Sequence, residues 1–465
     1  MEALEKAEAA LAVRRLALGE DHPVTAASLT SVSATLNRLG RFEEALEKAE
    51  AGLAVRRTTL GEDHPDTAYA LESVSAVLHA LGRYEEALEK AEAALAVRRS
   101  TLGEDHPDTA SSLDSVGTTH HMLGRYEEAL EKAEEALAIR RSALGEDHPS
   151  TASSLDSVGA TLHMLGRYEE ALENAVSALA LRRSALGDAH PVTASSLMSI
   201  GAAFHALGRY GEALQNAEAA LAVRRSALGD AHPDTAHSLD SMGAVLHALG
   251  RSAEALEKAE AALAIRRAAL GEDHPDTAQS LDSIAAALHK MGRYEDALEI
   301  AESALAVLCS ALGDSHPDTA HSLDTISAAL RALGRYTEAL ERAETALAVR
   351  RSALGEYHPD TAQSLYSVGT TLKALGRSKE AQEHLQTAVT RFDSCYGENH
   401  PSTLEAIISL ASAYQKRGQA PRGLILVQQR MKLVDKSSPH YARLRDLRDS
   451  LSRIVPGVRR PKRRR

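Results

Sequence analysis

Aromatic side chains are almost missing from this chain: 3% of 465 residues, with three Phe and no Trp. A core without large rings has to be thin. Strands, which draw on aromatic and β-branched side chains, are disfavoured. Only two cysteines occur, Cys309 and Cys395, too few for a disulfide framework, and no Cys-x-x-Cys pair offers a zinc site. No apolar run approaches the ~18 residues that a membrane span needs, and the residues after Met1 read as an amphipathic helix rather than a signal peptide. No GxxxxGK(S/T) loop is present to cradle phosphates. These absences predict a soluble cytoplasmic chain without membrane contact and without a cofactor.

Alanine, leucine, glutamate and arginine dominate what is left, and all four lose little rotamer freedom in a helix. The net charge of −12 hides an asymmetry. Arg459, Arg460, Lys462, Arg463, Arg464 and Arg465 close the chain, so residues 1–458 carry −18.

The dipeptide His-Pro falls at His22, His64, His106, His148, His190, His232, His274, His316, His358 and His400, always 42 residues apart. Glycine recurs in step, from Gly40 through Gly166 to Gly418. Self-similarity at a fixed period is the signature of a stacked array, and we number its ten repeats from these histidines. Repeat 4 shows the mechanics. Pro149 sits where a first helical turn tolerates proline. Leu155, Val158, Gly159 and Leu162 then recur at helical spacing, and Gly166 stops the helix. A second helix opens on Glu169 and Glu170 and closes on Arg182 and Arg183, acid and base complementing its dipole. Gly187 ends it. Each repeat therefore predicts a helical hairpin, A then B, whose apolar face needs a neighbour. Gly117, Gly159, Gly201, Gly243 and Gly369 share one A-helix position. Glycine inside a helix costs roughly 1 kcal/mol against alanine, so helix B is expected to press on helix A there.

Leu155, Gly159, Leu162, Gly166, Tyr168, Ala171 and Ala178, with the trailing Leu-Gly-x-x-His-Pro, resemble a tetratricopeptide repeat of the 42-residue kinesin-light-chain type. The resemblance covers nearly the whole chain. It implies an all-α, right-handed superhelical solenoid of about 22 helices and a non-catalytic scaffold that binds a peptide or partner protein in a concave groove.

Residues 1–19 read as a helix B without its A partner, since Glu2-Ala3-Leu4-Glu5-Lys6 repeats as Glu44-Ala45-Leu46-Glu47-Lys48. The expectation is a truncated leading copy. Ten tandem units then fill 20–436, a capping helix 437–455, and a disordered basic tail 456–465. The tail reads as a nuclear import signal, a nucleic-acid contact, a segment that docks into an acidic groove, or a solvated end. It is the only expected route to nucleic acid or to the nucleus.

The His-Pro loops mix metal-ligand types, as in Glu62, Asp63, His64 and Asp66. Ten evenly spaced sites without a nucleophile are better explained as helix caps: His at the N-cap, Pro at the first turn, acids at the positive end. A second histidine column lies fifteen residues after the loops, in His79, His121, His163, His205, His247 and His289, continued by Arg331 and Lys373. The resemblance places this position in the groove. A second groove column holds Asp114, Asp156, Asp240, Asp282 and Asp324; a third, more varied, runs from Ala27 and Tyr69 through His237 to Glu405. These columns are either the partner-binding surface or a solvated face copied by duplication. On the first reading the groove is acidic at neutral pH and favours a basic or mixed peptide. Zinc across the histidines is disfavoured, because repeats stand ~10 Å apart and Zn–N bonds are about 2 Å.

Kinesin light chains carry groove asparagines that grip a peptide backbone. The matching positions here are Ser31, Ser73, Ser115, Ser157, Ser199, Ser241, Ser283, Thr325, Ser367 and Ser409. A hydroxyl cannot reproduce the two-ended amide contact, which argues against a cargo adaptor of that kind. Similar near-identical arrays also form the ligand-sensing C-termini of nucleotide-switch receptors of the NB-ARC or NACHT type, of which this chain would be the sensor part.

Overall fold

The computed structural model describes residues 2–434 and 438–455. Twenty-two α-helices follow one another, with no strand among the described residues. A leading helix, Glu2–Leu18, precedes ten A/B pairs, and Pro439–Ile454 closes the series. The A helices have 16 residues (Pro23–Arg38 in repeat 1) and the B helices 19 (Phe42–Leu60), except that helix B of repeat 10 shortens to Ala420–Arg430. The basic tail at 456–465 and the first residue of the expected cap, 437, lie outside the described residues.

The caps explain the period. Nδ1 of each loop histidine accepts the backbone N–H two residues on, as in Asp66 N to His64 at 3.0 Å and Ser150 N to His148 at 3.1 Å. The threonine next along donates to the glycine carbonyl that ended the previous helix, 2.8 Å from Thr67 Oγ1 to Gly61 O. One loop thus stops a B helix and starts an A helix with local partners only. Between A and B, Gly82 takes φ +70°, and Arg83 N closes back on Leu78 O at 2.9 Å, a Schellman-type ending that glycine allows. Arg83 then bridges to Glu86 at 2.6 Å across the first turn of helix B.

Two compact units form: Met1–Arg293 with Glu299–Thr319, and Tyr294–Leu298 with Ala320–Arg465. The core is thin in both. In the first, Leu155, Val158 and Leu162 of one A helix pack with Ala171 and Ala178 of their own B helix and with Leu130, Ala133 and Leu137 of the B helix before. The A helix of repeat 4 is therefore sandwiched between two B helices, as a repeat array requires. In the second, Leu444 and Leu451 of the closing helix are fully buried over Leu424 and Val427. The shared small position does bring B against A: a Cβ on Gly159 would sit 3.3 Å from the Ala171 carbonyl. Where serine replaces glycine, it donates to that same carbonyl, Ser33 Oγ to Ala45 O at 2.7 Å.

Candidate partner-binding groove

On helix A, positions eight, twelve and fifteen after the loop histidine are spaced by about one and two turns and share a face. In the first unit this face carries His79, His121, His163, His205, His247 and His289, all half-buried. The first four rest on the tyrosine that opens helix B. His79–Tyr84, His121–Tyr126, His163–Tyr168 and His205–Tyr210 have ring centroids 5.3, 5.2, 5.2 and 5.3 Å apart. Contacts of this geometry fix the orientation of the imidazole. His79 Nε2 also lies 3.0 Å from Thr119 Oγ1 on the next A helix. Burial pushes His79, His163, His205 and His247 below the usual histidine range, so these rings are neutral at pH 7.

Two cavities open on this face. One, of about 160 Å3, lies between repeats 3 and 4, where His121, Thr118 and Gly117 face Ser157 and Ala160. The other, of about 420 Å3, spans repeats 5 to 7, between His205, His247, Asp240 and a floor of Ala244, Ala255, Ala259 and Ala286. Members of the histidine and aspartate columns thus meet in real recesses. Small residues make them: alanine at the twelfth position leaves space that a larger side chain would fill.

The aspartates do something the sequence reading did not foresee. Asp114 and Asp156 pair with Arg140 and Arg182 of their own B helices. Asp240 lies 2.6 Å from Arg266 and, in the second unit, Asp324 lies 2.5 Å from Arg350. Glu72 makes the same contact with Arg98 at 2.7 Å. Each of these arginines is buried, and most reach a serine on the following A helix, as Arg266 Nη1 does to Ser280 Oγ at 2.7 Å. In these five repeats the first arginine of the Arg-Arg pair therefore joins three helices across two repeats. The second is the surface residue that dipole reasoning expects, bridging to an acid five residues on, as in Arg267–Glu272 at 2.8 Å. Acidity assigned to the aspartate column is corrected accordingly: these carboxylates are neutralised inside the wall by an arginine. Asp282 is also buried, and Leu308 stands where the arginine would be. Burial pushes Asp240 up to about 6 against the pull of Arg266.

In the second unit Arg331 and Lys373 are half-buried. Burial, then Lys416 and Arg331, push Lys373 below the usual lysine range. The third column lies beside the buried arginines in the first unit, where Arg140 reaches Ser111 at 3.3 Å and Arg56 lies 5.7 Å from the Tyr69 ring centroid; in the second unit Glu405 pairs with the exposed Arg443 of the closing helix. The serine column turns back on its own helix, with Ser73 Oγ donating to Tyr69 O at 2.9 Å and Ser241 Oγ to His237 O at 3.1 Å. Those hydroxyls offer the groove lone pairs, not donors. Among the described residues no group of three His, Cys, Asp or Glu side chains could hold a metal ion, and no helix is long and apolar enough to cross a membrane.

The tetratricopeptide-repeat family matches nine overlapping stretches: 1–58, 32–89, 66–142, 123–184, 159–226, 192–268, 234–310, 284–352 and 318–394. The chain belongs to the tetratricopeptide-repeat family. Arrays of this family generally serve as protein–protein interaction scaffolds. Among solved structures, a candidate kinesin light chain of Podosopora anserina with nearly identical TPR-like repeats is 26% identical, over 44% of this chain and 97% of that one, with a TM-score of 0.37. BtubC (BKLC) from P. vanneervenii is 20% identical over 50% and 90%, TM-score 0.39. The apo form of RapI is 18% identical over 61% and 97%, TM-score 0.46. No curated protein matches the chain.

Proposed function

We propose that this repeat array is a non-catalytic scaffold that receives a peptide or partner surface on the A-helix face of repeats 3 to 7. One observation carries the reading: both cavities on that face are bordered by the histidine column and floored by small residues. The larger fits an apolar side chain against its alanines, while neutral His205 and His247 and the serine lone pairs meet the ligand's backbone N–H groups. A basic ligand is favoured less than the sequence suggested, because the aspartates of the wall are already paired. The amide-like grip of a kinesin-type adaptor has no counterpart in serines bonded to their own helix.

The test is to pan a random-peptide phage library on the immobilised protein and measure enriched peptides by calorimetry. His205→Ala with His247→Ala, and separately Ala244→Phe, should each weaken binding at least about tenfold, a loss of roughly 1.4 kcal/mol. Enriched peptides that bind all forms equally, or no enrichment at all, would show that this face is not the working surface.

A further inference from the structure

The loop histidines are alike in sequence but not in surroundings. His106 and His232 have side chains 41% and 42% exposed, whereas His274 and His316 are at 9% and 4%. What covers the second pair is a distant part of the same unit. A Cβ built on Gly40 would lie 3.1 Å from His274 Cδ2 and 3.4 Å from Pro275 Cδ. On Gly82 it would lie 2.9 Å from Cδ2 and Nε2 of His316 and from Pro317 Cδ. Both contacts span the same 234 residues, so the second is the first advanced by one repeat. The carbonyls of Arg38 and Ala80 face the two rings.

We propose that these contacts are a latch: the His-Pro loops opening repeats 7 and 8 seat on the glycine turns of repeats 1 and 2 and hold the intervening repeats at one curvature. The latch exists because a glycine turn leaves room for an imidazole and a proline ring to approach the backbone. It couples repeats 1 and 2 directly to the loops at His274 and His316 within the same unit, where an ordinary array would communicate only through nearest neighbours. Both cavities of the A-helix face belong to the repeats so enclosed. An occupant that needs a wider groove has to open the latch, and one that fits the closed groove stabilises it. Assignment of the latch does not depend on the peptide-binding reading.

The chain contains its own controls. Gly208 and Gly250 have φ of +73° and +75°, against +74° and +70° for Gly40 and Gly82. Gly208 N bonds to His205 O at 3.0 Å, as Gly82 N does to His79 O at 3.0 Å. Yet a Cβ on Gly208 or Gly250 would meet nothing within 4 Å. Local strain from alanine is therefore matched, and only the overlying loop differs. Amide hydrogen exchange on the full chain should find the turns at 36–41 and 78–83 on the order of tenfold slower than those at 204–209 and 246–251, since only the former need an added opening step. Gly82→Ala and the milder His316→Ala should each erase the difference at 78–83, while Gly208→Ala leaves it intact. Equal exchange at all four turns in the wild type, or an unchanged difference in both Gly82→Ala and His316→Ala, would overturn the latch.

Discussion

Replacing Arg266 by methionine is the sharpest challenge to the buried ion-pair ladder. Arg266 is 2% exposed; its Nη1 holds Asp240 at 2.6 Å, Ser280 Oγ at 2.7 Å and the Asp276 carbonyl at 3.0 Å. Methionine keeps most of the volume and removes all three contacts. Stripping one partner from a buried pair typically costs about 3–5 kcal/mol, because the other charge is left in low dielectric. Here Asp240 has an escape. Burial pushes its carboxyl up to about 6 even against the pull of Arg266; without that pull it rises further, so taking up a proton at pH 7 costs less than about 1.4 kcal/mol. The expected loss is therefore at the low end, about 3 kcal/mol at pH 7, and smaller at pH 5, where the carboxyl is protonated anyway. Urea unfolding followed by circular dichroism gives the total, and hydrogen exchange localises it to repeats 6 and 7, since stability in an array is a sum over neighbours. Arg267→Met is the control: its partner Glu272 and its own side chain are 68% and 44% exposed, so it should cost less than about 1 kcal/mol. Asp240→Leu combined with Arg266→Met should recover most of the loss. If Arg266→Met costs no more than Arg267→Met, or the double variant is as unstable as the single, the ladder contributes nothing and the argument fails.

The latch should also answer to pH. Burial holds His274 and His316 below the usual histidine range, although Asp276, Asp318 and the facing carbonyls pull the other way; Arg266 adds to the lowering at His274. Opened, the rings return toward about 6.5. Above that pH both forms are neutral and closure is at full strength; as pH falls below it the open form gains protons first and closure weakens. The exchange ratio between turns 78–83 and 204–209 should thus fall toward one between about pH 7.5 and 5.5, and a constant ratio would exclude titration as its lever. Packing of B on A gives a paired test. Alanine at Gly201 would approach Ala213 O at 3.4 Å, but at Gly369 it would come within 2.7 Å of Leu385 Cγ. Gly201→Ala should be neutral or stabilising by up to about 1 kcal/mol, and Gly369→Ala destabilising by about 1–3 kcal/mol. Equal shifts in Tm would refute the distinction.

Everything local was legible in the sequence. Histidine cap, first-turn proline, stop glycine and the apolar spacing act within a few residues of one another, and each repeat states them again. That the eighth and fifteenth positions of helix A share a side was legible too, because they stand about two turns apart. The buried arginines were not. Arg182 and Arg183 are adjacent and chemically identical, and only the hairpin's crossing decides which turns inward to Asp156. Substitution within the chain gives no help: Arg224 persists opposite Met198, and Asp282 persists although Leu308 has replaced the arginine. Acid and base are 26 residues apart, on antiparallel helices. The signal lay in pairing the eighth position of A with the end of B, and reading each column alone assigned its charge to solvent.

The latch was illegible for a different reason. Its partners are 234 residues apart and are joined by no local rule. Whether a loop of repeat 7 meets a turn of repeat 1 depends on rotation per repeat, accumulated six times, so a few degrees per repeat would separate them by many ångströms. That rotation is set by how closely each A helix lies between two B helices, hence by the small residues Gly117, Gly159, Gly201 and Gly243, of which Gly117 and Gly243 also border the cavities. Helix packing, curvature and groove width are consequently one variable in this unit. Enlarging a side chain at that position should open the latch from a distance even where no contact with it is lost, and near-identity between successive repeats is what keeps the rotation uniform enough for the two loops to land.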